Sequence, residues 1–214
     1  MKHKLSHYDF GLPMELIAQK PTQRRGQSRL LVVDRERQTL THDTFGNLKN
    51  HLINHPLMIF NDTRVIPAKL LVQIGPNSKQ VEILLIRELE PGLWEVMMKG
   101  LNRLKPETTL KFEKSDLTAQ FIRRHDSRAV IRFSSLEGLT DHLNESGRMP
   151  LPPYIQRPLN TNPQTLELDK KRYQTIFASH TGAIAAPTAG LHFTQSQLAN
   201  LRENTVDTAR LTLH

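Results

Sequence analysis

The sequence predicts an α/β unit that is discontinuous in the chain, residues 1–64 plus 134–214, with an antiparallel β-barrel over residues 65–133 inserted into it. Three observations lead there. Helix-like and strand-like stretches alternate on both sides of the middle third, as in an α/β layer. The middle third holds six short apolar runs at close intervals, 68–74, 81–89, 94–99, 109–112, 117–123 and 129–133. Between them lie Gly75-Pro76-Asn77, Glu90-Pro91-Gly92 and His125-Asp126-Ser127, the turn chemistry of a small barrel or sandwich.

Taken in order, Pro13 suits the first turn of a short helix over 14–18, stopped before Pro21. Residues 29–34, Arg-Leu-Leu-Val-Val-Asp, read as a buried strand joined by the polar turn 35–38 to a partner over 39–45. A short helix over 48–52 leads to an apolar strand over 57–60. After the barrel, Ser134-Ser135-Leu136-Glu137 is a capping-box pattern for a helix that Gly147 should stop. Met149-Pro150-Leu151-Pro152-Pro153-Tyr154-Ile155 excludes regular helix and central strand. Residues 165–178 read as helix, with Tyr173 and Phe177 four apart on one face. A second capping box, Thr194-Gln195-Ser196-Gln197, should open a helix over 195–203, followed by a strand over 206–213.

Composition narrows the function. The chain has 214 residues, 37% hydrophobic and 23% charged, enough for a sizeable core. It lacks the eighteen-residue apolar run of a membrane span and an apolar signal core behind its basic start, so a cytoplasmic protein is expected. Cysteine is absent, which excludes disulfides, thiolate metal sites and a cysteine nucleophile. The ten histidines form neither an HExxH pair nor a close cluster, so no metal is expected. P-loop and GxGxxG fingerprints are missing as well. The net charge is +8 and suits a polyanionic partner, most simply nucleic acid. Nine Lys or Arg against four acids fall between Lys99 and Arg132, a net of +5 inside the expected barrel. Lys99, Arg103, Lys105, Arg123 and Arg124 are the candidate nucleic-acid contacts; a solvated basic face without a partner is the other reading.

Ala185-Ala186-Pro187-Thr188-Ala189-Gly190-Leu191-His192-Phe193 is the most constrained stretch. Its small residues let a ligand or another segment approach the backbone, and a helix N-terminus follows at once, where polar or anionic groups can be held. A tight connection with a packed histidine fits the local pattern equally well. Asn61-Asp62-Thr63-Arg64, just past a strand, gathers an amide, a carboxylate, a hydroxyl and a guanidinium where α/β sheets place ligand groups; a polar turn at the barrel junction is its alternative. Tyr154 in the proline-rich run suits a stacking platform or a rigid linker, and Tyr173 a core position or a hydroxyl reaching a ligand.

In this order, several stretches resemble the S-adenosylmethionine:tRNA ribosyltransferase-isomerase family of queuosine biosynthesis. They are Tyr8-Asp9-Phe10, Leu12-Pro13, Glu15-Leu16-Ile17-Ala18-Gln19, Ser28-Arg29-Leu30-Leu31, and Asn61-Asp62-Thr63-Arg64-Val65-Ile66-Pro67-Ala68. Val81-Glu82-Ile83-Leu84-Leu85, the proline-rich 149–155, Arg172-Tyr173-Gln174-Thr175, the 185–193 loop and Thr212-Leu213-His214 complete the match. The resemblance implies transfer of the ribosyl part of S-adenosylmethionine to a 7-aminomethyl-7-deazaguanine at the tRNA wobble position, giving epoxyqueuosine, adenine and methionine. S-adenosylmethionine is then a consumed co-substrate, no prosthetic group is needed, and the partners are tRNA and donor, with no membrane and a monomeric complete protein. Asp62 or His192 is expected as base or acid, with Arg64 and Thr188 positioning donor or tRNA. Asn61, Thr63, Tyr154 and Tyr173 are expected to bind substrate, and Pro187, Thr188, Ala189 and Gly190 to form a close-approach wall. Two departures stand out: Arg148 replaces a histidine usual in the family, and His214 falls inside a motif that ordinarily continues into a long C-terminal portion. The alternatives are a non-catalytic RNA-binding remnant and an S-adenosylmethionine-dependent methyltransferase, the latter without its usual glycine-rich loop.

Overall fold

The hairpin is present: β1 (Arg29–Asp34) pairs antiparallel with β2 (Thr39–Thr44). A computed structural model describes residues 4–52, 57–75, 80–203 and 206–214; of Arg103 and Arg202 it describes the backbone alone. Pro76 and Asn77 of one expected turn therefore lie outside the described residues. β1 is not the buried strand its apolar run suggests. Leu31 and Val33 point outward, 52% and 56% exposed, while Leu30 packs inward, because a two-stranded ribbon covers one face only. The expected helices near 14–18 and 48–52 are 3-10 turns over Met14–Leu16 and Phe45–His51. The first spans three residues, too few to close regular α-helical turns.

β3 (Leu57–Asn61) is followed after one residue by β4 (Thr63–Val65), a strand the polar composition of this stretch had hidden. The barrel comes next: β5 (Lys69–Ile74), β6 (Gln80–Glu90), β7 (Leu93–Met98), β8 (Thr109–Phe112), β9 (Thr118–His125) and β10 (Arg128–Phe133). All pairs are antiparallel, and the order β10-β7-β6-β5-β8-β9 closes on itself, so no edge is left unpaired. Alternate residues fill the interior. Leu70, Val72, Ile83, Leu85, Val96, Leu110, Ala119 and Ile131 are at most 1% exposed. Each of the larger ones contributes about 1.5–3 kcal/mol by leaving water.

α1 (Leu139–Ser146) sends Leu139 and Leu143 into the barrel core. It begins later than the Ser134–Glu137 pattern predicts. The Ser134 backbone N–H and hydroxyl both donate to the Thr118 carbonyl, tying this residue to β9 instead of to a helix start. Gly138, at φ 76, then turns the chain into the helix. Gly147 ends it as expected, its N–H donating to Leu143 O.

α2 (Pro163–Arg172) opens with an Asn162 cap, whose side-chain oxygen accepts the Thr165 N–H, and proline in its first turn. It stops at Arg172, six residues short of the predicted end. Gln174 explains the stop: its amide accepts the Val65 N–H at 3.1 Å and donates to Val65 O at 2.6 Å, pulling the chain alongside β4. Tyr173 and Phe177 therefore do not share a helix face. Tyr173 packs with Val65, Met149, Ala183 and Ala186, whereas Phe177 joins Phe45, Phe60 and Phe193.

β11 (His180–Ala183) runs parallel to β4, and β12 (Asp207–Leu211) parallel to β3. Between them lie a 3-10 turn over Thr188–His192 and α3 (Gln195–Glu203). The capping box of α3 forms: the Thr194 N–H donates to Gln197 Oε1 at 2.9 Å, and the Gln197 N–H to Thr194 Oγ1 at 3.2 Å. Outside the barrel the fold is thus two parallel strand pairs and the antiparallel β1–β2 hairpin, with helices and 3-10 turns. The β3–β12 pair leaves Leu57, Ile59 and Leu211 exposed.

A Cβ at Gly147 would lie 2.2 Å from Pro67 O and 2.3 Å from Leu143 O, both backbone atoms. Gly147→Ala should destabilise the protein by about 2–3 kcal/mol in chemical denaturation. Gly46→Ala, whose Cβ would first meet an atom at 3.5 Å, should change stability by less than about 1 kcal/mol.

Candidate active site

The polar residues between β3 and β4 hold four strand ends together. The Asn61 side chain grips the backbone of residue 213 from both sides, donating to Leu213 O and accepting the Leu213 N–H. The backbone of Asp62 donates to Leu211 O and accepts the N–H groups of Ser179 and His180. Its carboxylate is buried and accepts the Thr212 hydroxyl at 2.7 Å and the Ser179 hydroxyl at 3.1 Å, with His180 Nδ1 at 3.2 Å. These contacts, the Thr212 hydroxyl foremost, hold the carboxyl below its ordinary value against the opposing effect of desolvation. Thr63 is buried and meets His214 Nδ1 at 2.8 Å. The exposed Arg64 donates to the Ala178 carbonyl.

His180 was not among the sequence candidates, since nothing in Ala178-Ser179-His180-Thr181 marks it; the register of β11 against β4 brings it to Asp62. Its Nδ1 faces the carboxylate and its side chain is 63% exposed. With Nδ1–H directed at Asp62, Nε2 carries the free lone pair, the arrangement of an oriented acid or base.

A second centre surrounds His192. A cavity of about 290 Å³ is lined by Ala18–Thr22 of the N-terminal segment together with Ser28, Leu151, Ile155, Arg157, Asp169, Arg172, Tyr173, Leu191 and His192. His192 Nδ1 lies 2.9 Å from Ser28 Oγ, and its ring stands 5.2 Å from that of Phe45. Burial first, then the charges of Arg25 and Arg172, hold its pKa below the usual imidazole value, which favours the neutral ring. Arg157 grips Asp169 bidentately at 2.7 and 2.9 Å, both side chains largely buried. Arg172 donates to Thr22 O, and Arg25 to the carbonyls of Lys171, Gln174 and Leu191, so the arginines fasten the N-terminal segment over the cavity. Tyr173 lines the cavity, and burial pushes the pKa of its hydroxyl up. Arg25, Arg157, Asp169 and Ser28 were not singled out from sequence. Their role depends on contacts more than a hundred residues apart for Arg25 and Ser28, which no local pattern carries.

The other candidates scatter. Tyr154 is 48% exposed and outside the cavity lining. Thr188 and Ala189 are exposed and Pro187 half-buried. Gly190 is buried, and a Cβ there would lie 2.8 Å from Phe177 Cζ and 2.9 Å from Thr175 Cγ2, so the close approach it permits is to the protein's own core. Asp62 and His192 have no hydrogen-bond partner in common. Lys99, Lys105, Arg123 and Arg124 are exposed on the barrel; Arg103's side chain lies outside the described residues. Arg148 pairs its backbone with Lys69 and donates to Leu159 O. Among the described residues no group of three or more acidic or histidine side chains could hold a metal, and no helix is long and apolar enough to cross a membrane.

Replacing Arg172 by Gln removes one of the two cations beside His192. The titration midpoint of the His192 ring, followed by NMR, should lie below the usual imidazole value in the wild type and rise in Arg172→Gln.

A family model described as queuosine biosynthesis protein matches residues 5–214. An S-adenosylmethionine:tRNA ribosyltransferase-isomerase from Carboxydothermus hydrogenoformans is 40% identical over 211 residues, which is 99% of this chain and 60% of that protein. One of the same name from Staphylococcus aureus is 38% identical over 98% of this chain and 60% of its own length. The crystal structure of a Thermotoga maritima S-adenosylmethionine tRNA ribosyltransferase aligns at 27% identity over 97% of this chain and 57% of that one, with a TM-score of 0.37. The chain spans about 60% of the length of these curated relatives.

Proposed function

The chain belongs to the queuosine biosynthesis protein family, and we propose that it carries the tRNA ribosyltransferase-isomerase chemistry for which its relatives are named. The substrates in this reading are S-adenosylmethionine, consumed as ribosyl donor, and a tRNA bearing 7-aminomethyl-7-deazaguanine at the wobble position. Adenine and methionine leave, epoxyqueuosine forms, and the reaction takes place in the cytoplasm. Residues 1–64 with 134–214 form the catalytic unit and the inserted barrel, 65–133, supplies part of the tRNA contact.

The observation that carries this reading is the half-buried His192 in a cavity edged by arginines, within a chain matched to the family over residues 5–214. The sulfonium of the donor acidifies the ribose 5′ carbon, and a neutral imidazole is the form able to take that proton. Arg172, with Arg25 beside His192, favours an anionic group such as the donor's amino-acid carboxylate. Asp62 has its oxygens occupied by Thr212, Ser179 and His180, so it acts through His180: the buried carboxylate stabilises the imidazolium formed when Nε2 takes a proton from solvent, and that proton then passes to the departing adenine. Arg64 and Thr188 meet the tRNA or the donor from the exposed side.

Mixing the protein with S-adenosylmethionine and tRNA carrying the aminomethyl-deazaguanine base should give a ribosyl-type mass gain in the nucleoside and free adenine. His192→Ala should lower turnover by at least about 100-fold while the fold, read by circular dichroism, is unchanged. Binding of tRNA without a mass gain would contradict the catalytic assignment and favour a binding-only role.

A further inference from the structure

One carboxylate on the outside of the barrel is as buried as the core. The Glu95 side chain, on β7, is 2% exposed, although Val96 and not Glu95 faces the interior. Two guanidiniums and an imidazole cover it: Arg128 at 2.8 Å, His125 Nδ1 at 3.2 Å and Arg87 at 3.4 Å. These stay in contact with water, Arg87 63%, His125 57% and Arg128 44% exposed. The register explains why they converge. Glu95 opposes Arg87 on β6 and Val130 on β10, Val130 opposes Arg123 on β9, and Arg128 opposes His125 across the hairpin. Directly opposed residues of antiparallel strands share a face, and so do residues two apart along a regular strand; on β6 a bulge between Leu85 and Arg87 breaks the alternation and sets Arg87 on the outer face while Leu85 stays inside. The outer face of β6-β7-β10-β9 therefore carries Arg87, Arg123, His125 and Arg128 around a single buried acid.

We propose that Glu95 is a positioning residue for an RNA-binding face, holding Arg87, His125 and Arg128 in a fixed constellation for contact with a phosphate backbone. This rests on the reading of the barrel as a tRNA contact. The cluster is a poor device for stability alone, because a buried ion cluster seldom stabilises more than well-packed apolar residues of the same size. Its effect is on order. An arginine side chain loses rotamer freedom when it is fixed against a ligand. A guanidinium already held by Glu95 has lost part of that freedom before the ligand arrives. Each guanidinium has five N–H donors and one carboxylate occupies only some of them, so the outward donors remain for phosphate oxygens.

The test turns on a difference of sign. On a basic face, deleting a negative charge should by charge counting alone tighten binding of a polyanion. If Glu95 positions its partners, Glu95→Gln instead weakens binding. With an unmodified tRNA transcript as probe and fluorescence anisotropy over a salt series, Glu95→Gln should bind about 5- to 10-fold more weakly. The slope of log affinity against log salt should fall by about one, the share of one lost phosphate contact. Equal or tighter binding by a folded Glu95→Gln protein overturns the proposal. Should that variant fail to fold, Arg87→Ala and Arg128→Ala are read instead. Each should lower the slope by about one, and unchanged slopes in both overturn it. A Lys99→Ala/Lys105→Ala variant separates the two levels of the argument. If it weakens binding while Glu95→Gln does not, only the role of Glu95 fails; if the wild type binds no tRNA, the barrel reading fails with it.

Discussion

The fold outside the barrel depends on Asp62. Where the chain leaves β3 and enters β4, this one residue makes backbone hydrogen bonds to Leu211, Ser179 and His180 and side-chain contacts to Thr212, Ser179 and His180. Each of the two parallel pairs, β3–β12 and β4–β11, is only two strands wide. Such ribbons are marginal by themselves. Asp62 joins them into one unit by satisfying, from a single buried site, groups belonging to segments more than a hundred residues away in sequence. Hydrogen bonds to an ionised carboxylate are stronger than neutral ones, about 1.5–3 kcal/mol each, and leaving such a charge buried without them is costly.

The barrel follows a different logic. Its ladder closes on itself around an interior of fully buried aliphatic side chains, with α1 covering one end and Ile66 and Ile184 packed against the same core. The proposed function divides along the same line. The parallel pairs and the N-terminal segment place His192 and Arg172 in the lining of a cavity, with the charge of Arg25 acting on His192, and they turn His180 outward beside Asp62. The barrel presents a charged outer surface whose cations are organised around Glu95.

What could be read from the sequence was whatever is local. The six barrel strands were legible because apolar and polar residues alternate within four to eleven residues and turn residues separate them. The capping box at Thr194 was legible because both its hydrogen bonds lie within three residues. The same pattern at Ser134 misled, since β9 offers Ser134 a partner sixteen residues away that competes with the helix start. The helix from residue 163 ends early for a similar reason, the claim of Val65 on Gln174. The site was half legible. Asp62 and His192 stood out by residue type, but His180, Arg25 and Glu95 acquire meaning only from strand register and from contacts across the chain. Gly190 looked like room for a ligand, whereas the space beside it is filled by Phe177 and Thr175.

The measurement closest to the central claim is hydrogen exchange at individual amides in the wild type and in Asp62→Ala. If Asp62 clamps the two parallel pairs, the amides of Ser179, His180 and Leu213 should exchange at least about tenfold faster in the variant, the equivalent of losing one charge-assisted hydrogen bond. Ile83 and Leu85, inside the barrel, should keep their wild-type protection. Unchanged exchange at Ser179 and His180 would contradict the account, and so would an equal loss of protection throughout the barrel.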